Sequence, residues 1–461
     1  MALLKGYVLP HPPLAVPAVG RGQEKGIKKT LEAFNKVAEE IAEFAPDTII
    51  YITPHNVLYS DYFHISPGES ANGDFSRFNS PNTRFETIYD EALAEEISRI
   101  AEISDFPAGT LGEKNPSLDH GVTVPMWFIN NRYTDYKSLR VSQSGMGPDE
   151  HYMMGRLLTK AAEALGRKIV IIASADLSHK LKNDGPYGFS PEGQIYDTTV
   201  TEALDSGDFL TLFKISEDLR EKAAECGHNS IMILAGALDK QKVESKLLSY
   251  EGPFGVGYAI VALKPIAEDE NRDFLDKFAA FSRKQAQNSR DNEDKYRELA
   301  RKSLEHKIRY NDHISLPDNL PEELTKTKAG VFVSLHKNGR LRGCIGTISP
   351  TTKCVASEII QNAVSAGLSD TRFEPVKEEE LPLLTYKVDV LSAPEPITGP
   401  EELDIKRYGV IVSSGFKRGL LLPNLDGIDT VDEQISIARQ KAGISEREQV
   451  TLERFEVIRH E

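Results

Sequence analysis

Three histidines each follow a short apolar run: His11 in Pro-His-Pro-Pro after Leu3 to Leu9, His55 in Thr-Pro-His-Asn after TIIYIT, and His179 in SADLSH after KIVIIAS. Runs of that length and β-branched content read as buried strands, and open α/β sheets place their ligands just past the carboxyl ends of such strands. Neutral imidazole is the commonest metal ligand, so histidines converging at one sheet edge could hold a divalent metal. His120, in the loop LDHG, could reach the same place. A site built on two histidines usually needs an anionic third ligand. The segment AAECGHNS offers Glu225 and Cys226, with His228 close by. A thiolate there favours zinc or another thiophilic metal; a carboxylate completes the facial triad that suits non-haem Fe(II). Asp176 is a further candidate ligand, or a cap on a following helix. The plainer alternative makes these loop histidines solvated and Cys226 an inert buried thiol. His64, His151, His306, His313, His336 and His460 lack a strand-end context and read as surface residues.

A second chemistry-bearing segment is LRGCIGT at 341–347. Gly343 and Gly346 flank Cys344-Ile345, which allows close backbone approach or positive φ around one thiol. Arg342 could lower that thiol's pKa. The bland reading makes Arg342 a surface cation, Cys344 a small core residue and the glycines a strand bulge.

These residues need elements to hold them. Ile27, Leu31, Phe34, Val37, Ala38, Ile41 and Phe44 recur at helical spacing between the first two apolar runs, so strand, helix and strand imply a parallel crossover. A helix with Leu157, Leu158, Ala161, Ala162 and Leu165 precedes KIVIIAS, and GYAIVAL at 257–263 reads as one more strand. The expectation is an α/β domain over 1–265 with a mostly parallel sheet and a strand-end site. A charged linker follows at 266–291, running into a solvated helix. A smaller α+β domain covers 292–461, with strands at 330–336, 384–392 and 409–413 and helices at 354–367 and near 431–443.

Composition narrows the classes. A chain of 461 residues with net charge −15 is too long for one ordinary core and too acidic for general nucleic-acid binding. No run of about 18 uncharged apolar residues exists, so a membrane span is not expected. Pro10 and His11 interrupt the only apolar start, as no signal peptide would. Three cysteines, Cys226, Cys344 and Cys354, suit a reducing cytoplasm.

PHPP, then TPH, the DH loop, SADLSH and ECGH together resemble the class III extradiol dioxygenase superfamily (LigB-like) and its Memo relatives, over most of 1–265. The resemblance implies that His11 and His55 are metal ligands, His179 an acid/base and His120 a second pocket histidine. Dioxygenases carry a glutamate as third ligand and Memo-like proteins Cys-Gly; Cys226 aligns best at that position, with Glu225 beside it. The implied cofactor is Fe(II), with zinc as the alternative. The implied activity is oxidative ring opening of a small aromatic diol; a hydrolase and a Memo-like binding module without turnover are the other readings. LRGCIG, with GVFVSL, SDTRFEPV, VDVLSAPEPI and LLLPN in order, resembles the AMMECR family over roughly 290–461. Its implied site is Arg342, Gly343, Cys344 and Gly346, with Asp370 and Arg372 nearby. The fusion resembles proteins of the AmmeMemoRadiSam system, which implies a radical-SAM partner; this chain has no CxxxCxxC cluster motif of its own.

Overall fold

The computed structural model describes residues 2–425 and 427–461. The chain divides into two compact units, Met1–Phe278 and Ala279–Glu461.

In the first unit, β1 (Leu3–Leu9), β2 (Thr48–Thr53), β3 (Lys137–Ser142), β4 (Ile169–Ser174), β5 (Gln241–Glu251) and β6 (Tyr258–Glu268) form one sheet in the order β3-β2-β4-β1-β6-β5. The first four run parallel. β6 is antiparallel to β1, and β5 to β6. Every residue of β2 and β4 is buried, as a sheet covered on both faces requires. The α/β expectation with a mostly parallel sheet therefore holds.

The cover comes from α1 (Lys28–Phe44), α2 (His120–Asn130), α3 (Pro148–Ala164) and α4 (His228–Ala237). α1 buries Phe34, Val37, Ala38 and Ile41 of the predicted stripe and Ala33 besides, leaves Leu31 and Phe44 half-buried, and ends where Ala45 turns left-handed before Pro46. Phe34 stacks on Phe128 of α2 at 4.2 Å. Truncating such a ring to alanine costs about 3–5 kcal/mol. A hairpin, Ser70–Phe75 with Ser80–Ile88, stands apart from the main sheet.

The stretch 266–291 is ordered: β6 runs to Glu268, and α5 (Phe274–Asp291) follows a short 3-10 turn. Phe274 and Phe278 are buried against Phe209 and Phe213, with ring centroids at 5.3 Å and 4.6 Å. Sequence alone reads this stretch as charge and misses the two aromatic anchors within it.

The second unit holds α6 (Lys295–Tyr310), β7 (Val331–Lys337), β8 (Arg340–Gly346), α7 (Val355–Leu368), β9 (Leu384–Leu391), β10 (Glu395–Ile397), β11 (Gly409–Ser414), β12 (Lys417–Leu421), α8 (Val431–Ala442), β13 (Thr451–Phe455) and β14 (Val457–His460). Two antiparallel sheets result, β8-β7-β9-β14 and β10-β13-β11-β12. β7 and β8 are joined through Asn338 and Gly339, both at positive φ, as a tight two-residue hairpin demands. Among the described residues no helix is long and apolar enough to cross a membrane.

Candidate metal centre

β1, β2 and β4 end at one level, and His11, His55 and the 174–179 segment leave from there. β4 lies between β1 and β2, so the two histidines flank its carboxyl end. The third donor arrives from the turn before α4. Ala224 is left-handed there, and Gly227 packs so closely that a Cβ would lie 2.2 Å from the Cβ of Ala175. Only glycine permits that approach, which draws Cys226 onto the strand end. One ligand atom from each of His11, His55 and Cys226 lies within 4.8 Å of the others. Nε2 of His11 is 2.9 Å from Nε2 of His55 and 3.5 Å from Sγ of Cys226.

The His11 tautomer follows from its partners. Ser174 Oγ donates its single proton to the Gly121 carbonyl at 2.6 Å, so the 2.9 Å contact between Oγ and His11 Nδ1 has the imidazole N–H as donor. Nε2 is then left with its lone pair facing His55 and Cys226. Asp176 accepts the His11 backbone N–H at 2.7 Å, which fixes the loop. Asp176 therefore orients His11 and caps no helix, contrary to one sequence expectation.

Glu225 is not brought to the cluster. One carboxylate oxygen takes the Arg220 guanidinium at 2.8 Å and the other the His228 backbone N–H at 2.6 Å, at the start of α4. Of the two candidates for the third ligand, Cys226 faces the two histidines and Glu225 does not. His64 and His151, read from sequence as surface residues, are buried; His64 Nε2 contacts the Glu113 carbonyl and His151 Nδ1 the Gly147 carbonyl.

His120 and His179 border the cluster. The His120 ring stacks on His55 at 4.1 Å, and His179 stacks on Tyr187 at 5.0 Å. Burial, then the neighbouring His55, lowers His120 to about 3 and His179 to about 4. His11 falls well below its usual value for the same reasons. All three are neutral at pH 7, the state that coordinates a metal or accepts a proton. Burial pushes the Cys226 thiol well up, and the Asp176 and Glu225 carboxylates add to this. A cation at the junction would reverse that effect, because a coordinated thiol is deprotonated. The donor set, two imidazoles and one thiol, therefore fits a thiophilic divalent metal.

Sequence reasoning overlooked several supporting residues. Asp119 accepts from Thr53 Oγ1 at 2.6 Å, Thr53 Oγ1 accepts the His55 N–H at 3.2 Å, and the other Asp119 oxygen lies 3.9 Å from the buried Arg140. Gln143 donates to the Cys226 carbonyl at 2.9 Å. The LDHG motif contained Asp119, but no local signal tied it to His55. A cleft of about 760 Å³ opens from His55, His120 and Asp119 toward the hairpin residues Asp74, Arg77 and Glu86.

In the second unit the LRGCIG residues meet different partners. Arg342 makes a two-pronged pair with Glu380, at 3.0 and 2.9 Å, so its guanidinium is committed away from the thiol it was expected to activate. Cys344 Sγ accepts from Ser334 Oγ at 3.2 Å. Asp370 accepts the Cys344 N–H and Arg372 donates to the Cys344 carbonyl, while these two side chains pair with each other. Gly343 is required by close approach: a Cβ would lie 2.1 Å from the Ala366 carbonyl oxygen of α7. Gly346 lies against the Phe332 ring in the same way. Neither has positive φ.

Fold and site together define a strand-end α/β domain with a candidate metal centre, followed by a separate α+β domain. The chain belongs to the LigB family, described as the catalytic LigB subunit of aromatic ring-opening dioxygenase, over residues 5–261, and carries an AMMECR1 domain over 297–460. It is similar along its whole length to Protein CA_C1420 of Clostridium acetobutylicum, at 42% identity over 472 residues, covering 100% of this chain and 99% of that one. A Thermotoga maritima protein is 49% identical over 167 residues, 36% of this chain and 96% of its own. A solved structure of the uncharacterized protein PH0010 from Pyrococcus horikoshii shares 31% identity, covering 36% of this chain and 88% of that one, with a TM-score of 0.33.

Proposed function

We propose that the first unit is a metal-dependent oxidoreductase of extradiol-dioxygenase type, opening the ring of a small aromatic diol with O2, with Fe(II) held by His11, His55 and Cys226. The observation that carries this reading is the convergence of those three donors at a strand edge beside an open cleft. A bound iron would supply the electronic coupling between diol and O2 that no side chain offers. His179, neutral at pH 7, accepts a phenolic proton; with its pKa near 4 it does so only from a hydroxyl already acidified by binding. His120 hydrogen-bonds a substrate oxygen at the cleft floor, held in place by its stack on His55. Phe78, edge-on to His120 at 5.5 Å, keeps water from that side.

One observation favours a second reading. The third donor is a sulfur, softer than the facial triad's carboxylate, and a two-histidine, one-cysteine set suits zinc. On that reading the chain is a Memo-like metal-holding accessory protein, working with a radical-SAM partner. The deciding experiment is elemental analysis of full-length protein purified without oxygen or added metal, beside a His11→Ala/His55→Ala control, followed by O2 uptake with catechols. Iron lost in the control together with catechol-dependent O2 uptake supports the dioxygenase. Zinc lost in the control, with no uptake after iron loading, supports the accessory protein.

A further inference from the structure

Asp197 is completely buried in the first unit and takes no part in the donor cluster. It sits on the helix Pro191–Ser206, and no cation pairs with it among the described residues. A carboxylate held in that way is costly, and burial pushes its pKa up to about 7. Its partners show what it holds. One oxygen accepts the Ser178 backbone N–H at 2.7 Å, and the other accepts the hydroxyl of Tyr250 on β5 at 2.7 Å. Two glycines clear the approach. A Cβ on Gly257 would lie 2.0 Å from the Asp197 carboxylate, and one on Gly193 would lie 2.4 Å from Ser178 Oγ.

Ser178 passes this constraint to both flanks of the site. Its Oγ donates to the Ala223 carbonyl at 2.9 Å, and the His179 N–H donates to the same carbonyl at 3.0 Å. Its own carbonyl accepts the Gly257 N–H at 2.8 Å, and its Oγ accepts the Lys180 N–H at 3.0 Å. Every polar atom of Ser178 is therefore engaged. Ala223 closes the short helix Glu217–Ala223, and the left-handed Ala224 leads directly to Cys226. Cys226 Sγ also lies 3.7 Å from the Asp176 carbonyl, two residues before Ser178. The segment carrying the third donor thus hangs from Ser178, and Ser178 hangs from Asp197.

We propose that Asp197 is a positioning residue of the metal centre, acting through Ser178 to place both Cys226 and His179. This rests on reading His11, His55 and Cys226 as a metal centre. Groups that orient a ligand without touching the metal weaken binding about 10- to 100-fold when removed. Asparagine at 197 keeps the shape and answers both partners, its oxygen toward the Ser178 N–H and its amide toward the tyrosine oxygen. Alanine answers neither.

The test reads Zn(II) affinity of the full-length, reduced protein by competition with a chromophoric chelator. The thiolate-to-metal absorption of the Co(II) form reports ligand geometry. Asp197→Ala should bind Zn(II) about 10- to 100-fold more weakly with an altered Co(II) band, and Asp197→Asn should recover most of the loss. Ile97→Ala, buried on a helix that carries no residue of the site, should lower Tm and leave affinity and band unchanged. If Asp197→Ala does not fold, Tyr250→Phe removes one of the two bonds and should give a smaller loss of the same sign. Wild-type affinity in Asp197→Ala, or in Tyr250→Phe where it stands in, overturns the positioning role while the metal centre stands. An equal loss in Ile97→Ala does the same. A wild-type protein that takes up no metal overturns the centre itself, and this proposal with it.

Discussion

Cys226 and Cys344 stand in segments of similar make-up, each with a glycine and a charged residue within two positions, and the structure treats them differently. In both, the charged neighbour is claimed by an opposite charge: Glu225 by Arg220, five residues earlier, and Arg342 by Glu380, 38 residues later. Around Cys344 the remaining groups also answer one another, through Ser334, Asp370 and Arg372. Around Cys226 the nearest groups are themselves donor atoms: the Ser174 hydrogen bond turns the His11 Nε2 lone pair toward the thiol and His55 Nε2. What differs between the two thiols is the set of side chains around them, imidazoles at Cys226 and a hydroxyl and an ion pair at Cys344, not the charge next to each in sequence.

The contrast breaks most directly at the metal. Cys226→Ala, like the double histidine change, should reduce bound metal from about one per chain to none, while Cys344→Ala leaves it unchanged, read by elemental analysis. If Cys344→Ala empties the protein, the comparison fails. A smaller effect follows from Asp119→Asn, which weakens the support of His55; a chelator competition should show metal affinity about 10- to 100-fold lower.

Proton linkage gives the next effect. The thiol is raised by burial while His11 and His55 are lowered, so of the three donors only the thiol must lose a proton to bind metal between about pH 6 and 8. Affinity should therefore rise about tenfold per pH unit over that range, and a flat profile would remove the thiolate from the ligand set.

In the second unit Gly343→Ala should cost about 1–3 kcal/mol, seen as a lower Tm, because a methyl meets the α7 backbone and not a movable side chain. The smallest expected effect is the sharpest about roles. Arg342→Gln should leave the rate of Cys344 labelling by a thiol probe unchanged, since the guanidinium sits on Glu380. Cys344, half-buried, should label faster than the buried Cys354 in either form; equal rates would return Cys344 to the core.

Much of this was legible in sequence because strand ends and helix stripes are local signals. Leu3–Leu9, TIIYIT and IVIIAS are buried strands, and His11 and His55 leave from their ends. β5 was missed because its more buried positions include Gln241 and Ser245 beside Val243 and Leu247, which weakens the apolar half of the alternation. β3, as long as β2 and β4, was missed because it opens with Lys137 and carries Arg140, buried through bonds to Ser66 and to the Asn115 and Ser117 carbonyls. Which of Glu225 and Cys226 faces the site depends on a left-handed Ala224, a conformation nothing in its residue type announces. The partner of Arg342 lies 38 residues away, beyond any local pattern.

His11 and Cys226 touch across 215 residues of chain. During synthesis the first ligand therefore leaves the ribosome well before the last one exists, at roughly 5–20 residues per second. No nascent fragment ending before the α4 turn can assemble the three-donor cluster. Once the sheet has closed, any metal that binds only the folded state stabilises it by mass action. A metal held by these three donors would then seal a completed fold and could not nucleate it.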